Sequence, residues 1–152
     1  MSIAVAITIP CADWRRALPR ASGLARRAAR EALRQAAYEG DGEVSVVLAD
    51  DATVADLNRR YRRRRGPTNV LSFSATPPLL GDVVIAYETT AREAKAQHKP
   101  LADHFAHLVV HGTLHLLGHD HRRAAEARRM ESLEIVTLFR LGIADPYNDG
   151  AR

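Results

Sequence analysis

Between His111 and His121 the chain reads His111-Gly-Thr-Leu-His115-Leu-Leu-Gly118-His119-Asp120-His121, and all seven histidines of the sequence fall between His98 and His121. At 100° per residue, His111 and His115 lie one turn apart on one helical face, close enough to share an ion. Gly118 is suited to a left-handed conformation that ends the helix. The chain can then turn back and deliver His121 as a third nitrogen ligand. Three imidazoles plus a water make the open tetrahedral zinc site of catalysis, in which the bound water has a pKa of about 7. A lone histidine on a helix is ordinarily a core or surface residue. Three at H-x-x-x-H-x-x-G-x-x-H spacing, with the breaker where the turn is needed, favour metal binding.

The remaining histidines carry less weight. His104 and His107 share the helical face of His111 and His115, but helical rise puts His104 about 10 Å from His111. A supporting or substrate role is open to His107, and a solvated one to His104. Asp120 could orient a ligand histidine through its free ring nitrogen, although turn propensity alone accounts for it. Zinc proteases of the metzincin type share the histidine spacing, yet they need a glutamate directly after the first histidine as general base. Here that position is Gly112, which cannot move a proton. Met130 sits inside a helical pattern, so it is a poor candidate for a Met-turn.

A second group of residues points to a polyanion. Arg59, Arg60, Arg62, Arg63, Arg64 and Arg65 fall within seven positions, and guanidinium groups fork onto phosphate oxygens. A solvated helix C-terminus would also collect cations, and that explanation serves most of the six. One arginine aimed at the metal would stabilise charge building on a phosphate. Residues 1–76 hold 13 arginines against eight acidic residues, while residues 77–152 are net −1. The preference for arginine over lysine, 20 to two, goes with 26 alanines and reads as the bias of a GC-rich genome.

The elements that must position these groups follow from periodicity. Ile3, Val5, Ile7 and Ile9 alternate as a half-buried strand that Pro10 ends. Trp14 to Tyr38 has Leu24, Ala28, Ala32, Leu33 and Ala36 at helical spacing, closed by Gly40 and Gly42. Residues 43–49 form a second strand. Asp50 or Asp51 caps a helix with Val54, Leu57 and Tyr61 on its apolar face, and Gly66-Pro67 stops it. Residues 69–73 and 83–86 are strands that could pair as a hairpin. Helices follow over about 88–97, 101–117 and 123–141, the last with Met130, Leu133, Val136, Leu138 and Leu141 apolar. The order implies an α+β fold, a small mixed four-stranded sheet packed with about five helices. The metal site would lie at the end of a helix in the C-terminal half.

Length and composition agree with one domain spanning residues 1–152. At 46% hydrophobic and 26% charged residues, the chain is neither disordered nor collagen-like. Its one cysteine, Cys11, excludes an internal disulfide and a multi-cysteine zinc site. No apolar run approaches the roughly 20 residues that cross a bilayer, and the N-terminus lacks the features of a secretory signal. A soluble cytoplasmic protein is expected.

The segments Leu57…Tyr61-Arg62…Pro67-Thr68-Asn69-Val70-Leu71-Ser72-Phe73, Leu80-Gly81-Asp82-Val83-Val84-Ile85 and His111 to His121 resemble the YbeY family, bacterial rRNA maturation factors. The likeness continues through Met130-Glu131 and Leu141 to Tyr147, so it covers nearly all the chain after about residue 44. It implies a zinc-dependent, single-strand-specific endoribonuclease acting in 16S rRNA 3′-end maturation and ribosome quality control. It further implies one zinc per chain on His111, His115 and His121, and Arg62 as the functional arginine. Arg60 and Arg63 are expected to bind substrate beside it. Partners would be single-stranded RNA within small-subunit precursors and, with it, ribosomal proteins. His119 stands where many members have tyrosine, and the loop from Ser74 to Leu80 is short for the family. Two alternatives stay open: a non-catalytic, metal-containing ribosome assembly factor and, less favoured, a metalloprotease.

Overall fold

The computed structural model describes residues 2–63, 66, 68–120 and 122–147. Its elements run β1 (Ile3–Thr8), α1 (Ala12–Ala17), α2 (Ala21–Gln35), β2 (Gly42–Ala49), α3 (Asp51–Arg62), β3 (Val70–Ser74), β4 (Leu79–Ala86), α4 (Tyr87–Ala96), α5 (Leu101–Leu116) and α6 (Ala124–Arg140). The four strands form one mixed sheet in the order β1-β2-β4-β3. β1 and β4 both lie parallel to β2, and β3 returns antiparallel to β4. The fold is α+β, as the sequence implies.

Alternation along the strands sorts the core into two parts. Val44, Val46, Leu48, Val83 and Ile85 point to the larger one, against α2, α5 and α6. Their neighbours Val47, Ala49, Val84 and Ala86 point to a smaller one under α3, with Val54 and Leu57. In α2 the buried residues Ala21, Ala25, Ala28, Ala29 and Ala32 keep the helix surface flat, which brings it close to α5.

Three expectations are revised. The stretch from Trp14 to Tyr38 is two helices, so the described residues hold six where about five were expected. The break is at Leu18, whose φ of −142° and ψ of 75° are not helical, because a residue before proline is driven out of the helical region. The short α1 has its own purpose: Trp14 is fully buried and its indole N–H donates to Ala49 O at 2.9 Å. Strand β4 begins at Leu79 rather than Val83, since its pairing with β2 continues through an irregularity at Glu43/Val44. Tyr61 is 64% exposed rather than part of an apolar helix face. It packs edge-on against Phe73 instead, ring centres 5.7 Å apart.

The ends of α3 bear on the site. Asp50 caps it by accepting from Thr53 N–H at 2.8 Å, and Asp51 ties it to α4 by accepting from both the backbone N–H and the hydroxyl of Thr89. At the other end Arg63 takes a left-handed conformation, φ 54°, and stops the helix directly after Arg62. In α6 the buried stripe is Met130, Glu134, Thr137 and Leu138, whereas Val136 is 45% exposed.

Candidate metal centre and its cleft

Helix α5 carries His104, His107, His111 and His115 along one side, and α6 brings Glu134 to them. Glu134 is 1% exposed. One carboxylate oxygen is 2.6 Å from His111 Nδ1, the other is 3.2 Å from His107 Nε2, and the latter also accepts from the Tyr147 hydroxyl. Burial acts to raise the Glu134 pKa, but the hydrogen bonds from His107 and His111 prevail and bring it down to about 2. The group is therefore a carboxylate at neutral pH. Burial and this carboxylate together push the Tyr147 hydroxyl well above its ordinary value, so it donates and does not ionise.

An acceptor fixed on His111 Nδ1 places the hydrogen on that nitrogen and leaves Nε2 with its lone pair, the form a metal requires. His111 Nε2 lies 3.0 Å from His115 Nε2, with ring centres 4.5 Å apart. Among the described residues, His107, His111 and Glu134 also form a group whose ligand atoms all lie within 4.8 Å of one another and could hold a metal ion. Two atoms sharing a tetrahedral ion at about 2.0–2.2 Å each lie roughly 3.3 Å apart. The 2.6 Å between His111 Nδ1 and Glu134 is the shorter separation of a charge-assisted hydrogen bond. The 3.0 Å between the two Nε2 atoms is closer to what a shared ion needs. The donor set thus fits a transition metal, with Glu134 as the carboxylate fixed behind His111.

Beside the two histidines runs a cleft of about 600 Å³, whose lining includes Asn58, Arg62, Asn69, Ser72 and Arg122 together with His111 and His115. Arg62 reaches it from the end of α3. Its guanidinium donates to Ser72 O at 2.5 Å and rests 5.5 Å from the centre of the Phe73 ring. Arg60 pairs with Asp56 at 3.2 Å, and neither Arg60 nor Arg63 lines the cleft. Of the expected ligands, the fold brings His111 and His115 together with Arg62. His121, like Arg64 and Arg65 of the basic run, lies outside the described residues.

The neighbouring residues separate into roles the sequence left open. His104 is buried and its Nε2 lies 2.8 Å from Glu93, so the solvated reading of it is overturned. Its burial outweighs that carboxylate and lowers its pKa. His107 supports Glu134. Asp120 is 3.1 Å from Arg122 Nε, and the carboxylate behind His111 is Glu134. Periodicity could have found it: Glu134 lies four residues after Met130 and four before Leu138, in step with the buried stripe.

Gly112 closes the protease alternative on steric grounds. A Cβ there would meet Val83 Cγ1 at 2.5 Å and Ser72 Oγ at 3.0 Å, so α5 can lie this close to β3 and β4 only with glycine. No glutamate fits after His111, and Met130 is buried inside α6. Gly112→Ala should therefore lower stability by about 1–3 kcal/mol through overpacking, measured as a shift in urea midpoint. An unshifted midpoint would mean that α5 is not held against the sheet here.

A family model described as Endoribonuclease YbeY matches residues 10–142. A curated relative of that name from Paramagnetospirillum magneticum is 50% identical, over 98% of this chain and 98% of its own. Another of that name, from Parvibaculum lavamentivorans, is 53% identical over 80% of this chain and 74% of its own. Among solved structures, the solution structure of TM1509 from Thermotoga maritima superposes with a TM-score of 0.56 at 18% identity, covering 95% of this chain and 98% of that one. That likeness is one of fold.

Proposed function

Since the chain belongs to the endoribonuclease YbeY family, we propose that it is a zinc-dependent hydrolase that cuts single-stranded RNA in the cleft beside His111 and His115. In the cell it would act in the cytoplasm on small-subunit precursors, in 16S rRNA 3′-end maturation and ribosome quality control, with ribosomal proteins as neighbours. Among the described residues no helix is long and apolar enough to cross a membrane.

The observation that carries this reading is the 3.0 Å approach of the His111 and His115 Nε2 atoms in a cleft that Arg62 also lines. His111, His115 and His121 would hold one ion per chain. When bound, zinc supplies Lewis-acid polarisation and an acidified water. The protein's own groups do the rest. Glu134 holds the proton of His111 on Nδ1 and so keeps Nε2 facing the cleft. Arg62 binds the scissile phosphate and stabilises the charge that builds on it, while its bond to Ser72 O and the Phe73 ring limit where it can point. Arg60 and Arg63, both exposed, attract the rest of the strand.

The test compares cleavage of a single-stranded oligoribonucleotide by the wild type, the chelated protein, His115→Ala and Arg62→Glu, with the metal content of each. About one transition metal per chain is expected in the wild type, and its loss in His115→Ala. Arg62→Glu should keep metal and melting temperature while losing at least about 100-fold in cleavage. Full cleavage by chelated protein and His115→Ala would overturn the reading. RNA binding without turnover by pure wild type would leave a non-catalytic assembly factor instead.

A further inference from the structure

Strand β3 carries one polar side chain where its pattern calls for an apolar one. Val70 packs into the larger core, and Leu71 and Phe73 into the smaller. Ser72 therefore falls on the side of Val70, and both side chains come up against Gly112 of α5. The serine hydroxyl donates to Gly112 O at 2.9 Å, the carbonyl of the residue directly after His111. The backbone carbonyl of the same serine accepts from the Arg62 guanidinium at 2.5 Å. We propose that Ser72 is a positioning residue for cleavage: it ties Arg62 to the helix of His111 and His115 and so sets how far the guanidinium stands from them. This rests on the reading that the reaction takes place in the cleft that these residues line.

The tie is short. Two hydrogen bonds and one residue separate the guanidinium from α5, whereas along the chain β3, β4 and α4 intervene between α3 and α5. The close approach depends on glycine, since a Cβ at residue 112 would meet Ser72 Oγ at 3.0 Å and Val83 Cγ1 at 2.5 Å. Bare backbone at that point is what lets the hydroxyl reach the helix. β3 has β4 alone as a neighbour in the sheet, with Val83 opposite Ser72. Its hold on α5 is therefore not shared with a strand on its other side. Arg62 is also fixed at its base, because α3 stops directly after it and Asn58, 5% exposed, donates to Gly66 O at 2.9 Å. Its tip rests on Ser72 O and the Phe73 ring, both parts of β3. A shift of β3 against α5 thus moves the guanidinium relative to His111 and His115. A misplacement of about 1 Å in a catalytic group can cost on the order of 100-fold in rate.

The experiment is a double-mutant cycle, read in single-turnover cleavage of a single-stranded oligoribonucleotide with zinc-loaded enzyme in excess. Ser72→Ala removes the hydroxyl and keeps the backbone carbonyl. It should slow cleavage about tenfold in the wild-type background, a part of the full misplacement cost. In the Arg62→Glu background it should slow cleavage less than about twofold, because an arginine that is absent cannot be misplaced. The zinc content of Ser72→Ala should match that of the wild type. A serine that served only the fold would cost the same factor in both backgrounds, and that result overturns the proposal. So does an undiminished rate for Ser72→Ala in the wild-type background. Loss of zinc from Ser72→Ala also overturns it, by placing the effect on the metal ligands rather than on the arginine. Undiminished cleavage by Arg62→Glu alone would instead overturn the location of the reaction.

Discussion

Glu134→Ala should weaken zinc binding by about 10–100-fold, the usual cost of losing the carboxylate behind a ligand histidine, and should also lower stability by several kcal/mol. The two effects have different origins. Stability falls because His107, His111 and Tyr147 all lose their shared acceptor, itself 1% exposed, and a buried group left unpaired costs about 1–3 kcal/mol. Metal affinity falls because nothing then keeps the His111 proton on Nδ1 or its ring in place. Glu134→Gln separates them. It fills the same volume and can still accept through its carbonyl, so it should recover much of the stability. Its amide N–H₂ cannot accept from an imidazole N–H, so one of the two histidines is still left facing a donor. Urea midpoints of the metal-free proteins and zinc competition against a chromophoric chelator measure the two effects. Wild-type zinc affinity in Glu134→Ala would remove Glu134 from the centre.

Gly81→Ala should be the most disruptive small substitution in the sheet, costing about 2–6 kcal/mol. Gly81 lies in β4, opposite Ser74 of β3 and Val44 of β2, with φ of +143°. A Cβ there would sit 2.1 Å from Phe73 O and 2.8 Å from Leu116 Cδ2. The first contact is with backbone and cannot be relieved by a rotamer change. The positive φ adds about 1–3 kcal/mol for any residue with a side chain, and overpacking adds a similar amount. The hairpin would have to open, and Leu116 would push on the turn of α5 that carries His115. Denaturant unfolding reads the cost, and a wild-type midpoint would show that the β3–β4 approach is looser than these distances imply.

What the sequence could and could not reveal divides along physical lines. The meeting of His111 with His115 and the turn at Gly118 were legible because both depend on local spacing along a helix: the two Nε2 atoms lie 3.0 Å apart and Gly118 takes a positive φ of +93°. The strands were identifiable because one-sided burial imposes alternation. The burial of Glu134 was legible from its place in the stripe with Met130 and Leu138, but its role was not, because His111 is 23 residues away along the chain and only the crossing of α6 over α5 brings them together. His104 was misread for the same reason, since Glu93 comes from another helix. Gly112 could be read as lacking a catalytic group, but its steric purpose depends on Val83 and Ser72, 29 and 40 residues away. Nothing local distinguishes a glycine that is absent of chemistry from one that is required for packing.

Strand β3 is an edge of the sheet, bonded on one side to β4 alone, and the Arg62 guanidinium occupies one carbonyl of its outer side. Open strand edges recruit other chains, and charged side chains laid over them are a common deterrent. Arg62 is therefore placed to keep molecules apart, beside the phosphate role proposed for it above. Neutral replacements at this position should self-associate more readily than the wild type, and a glutamate, with its own charge, should do so less than they do. A monodisperse light-scattering profile should accompany any activity assigned to an Arg62 variant.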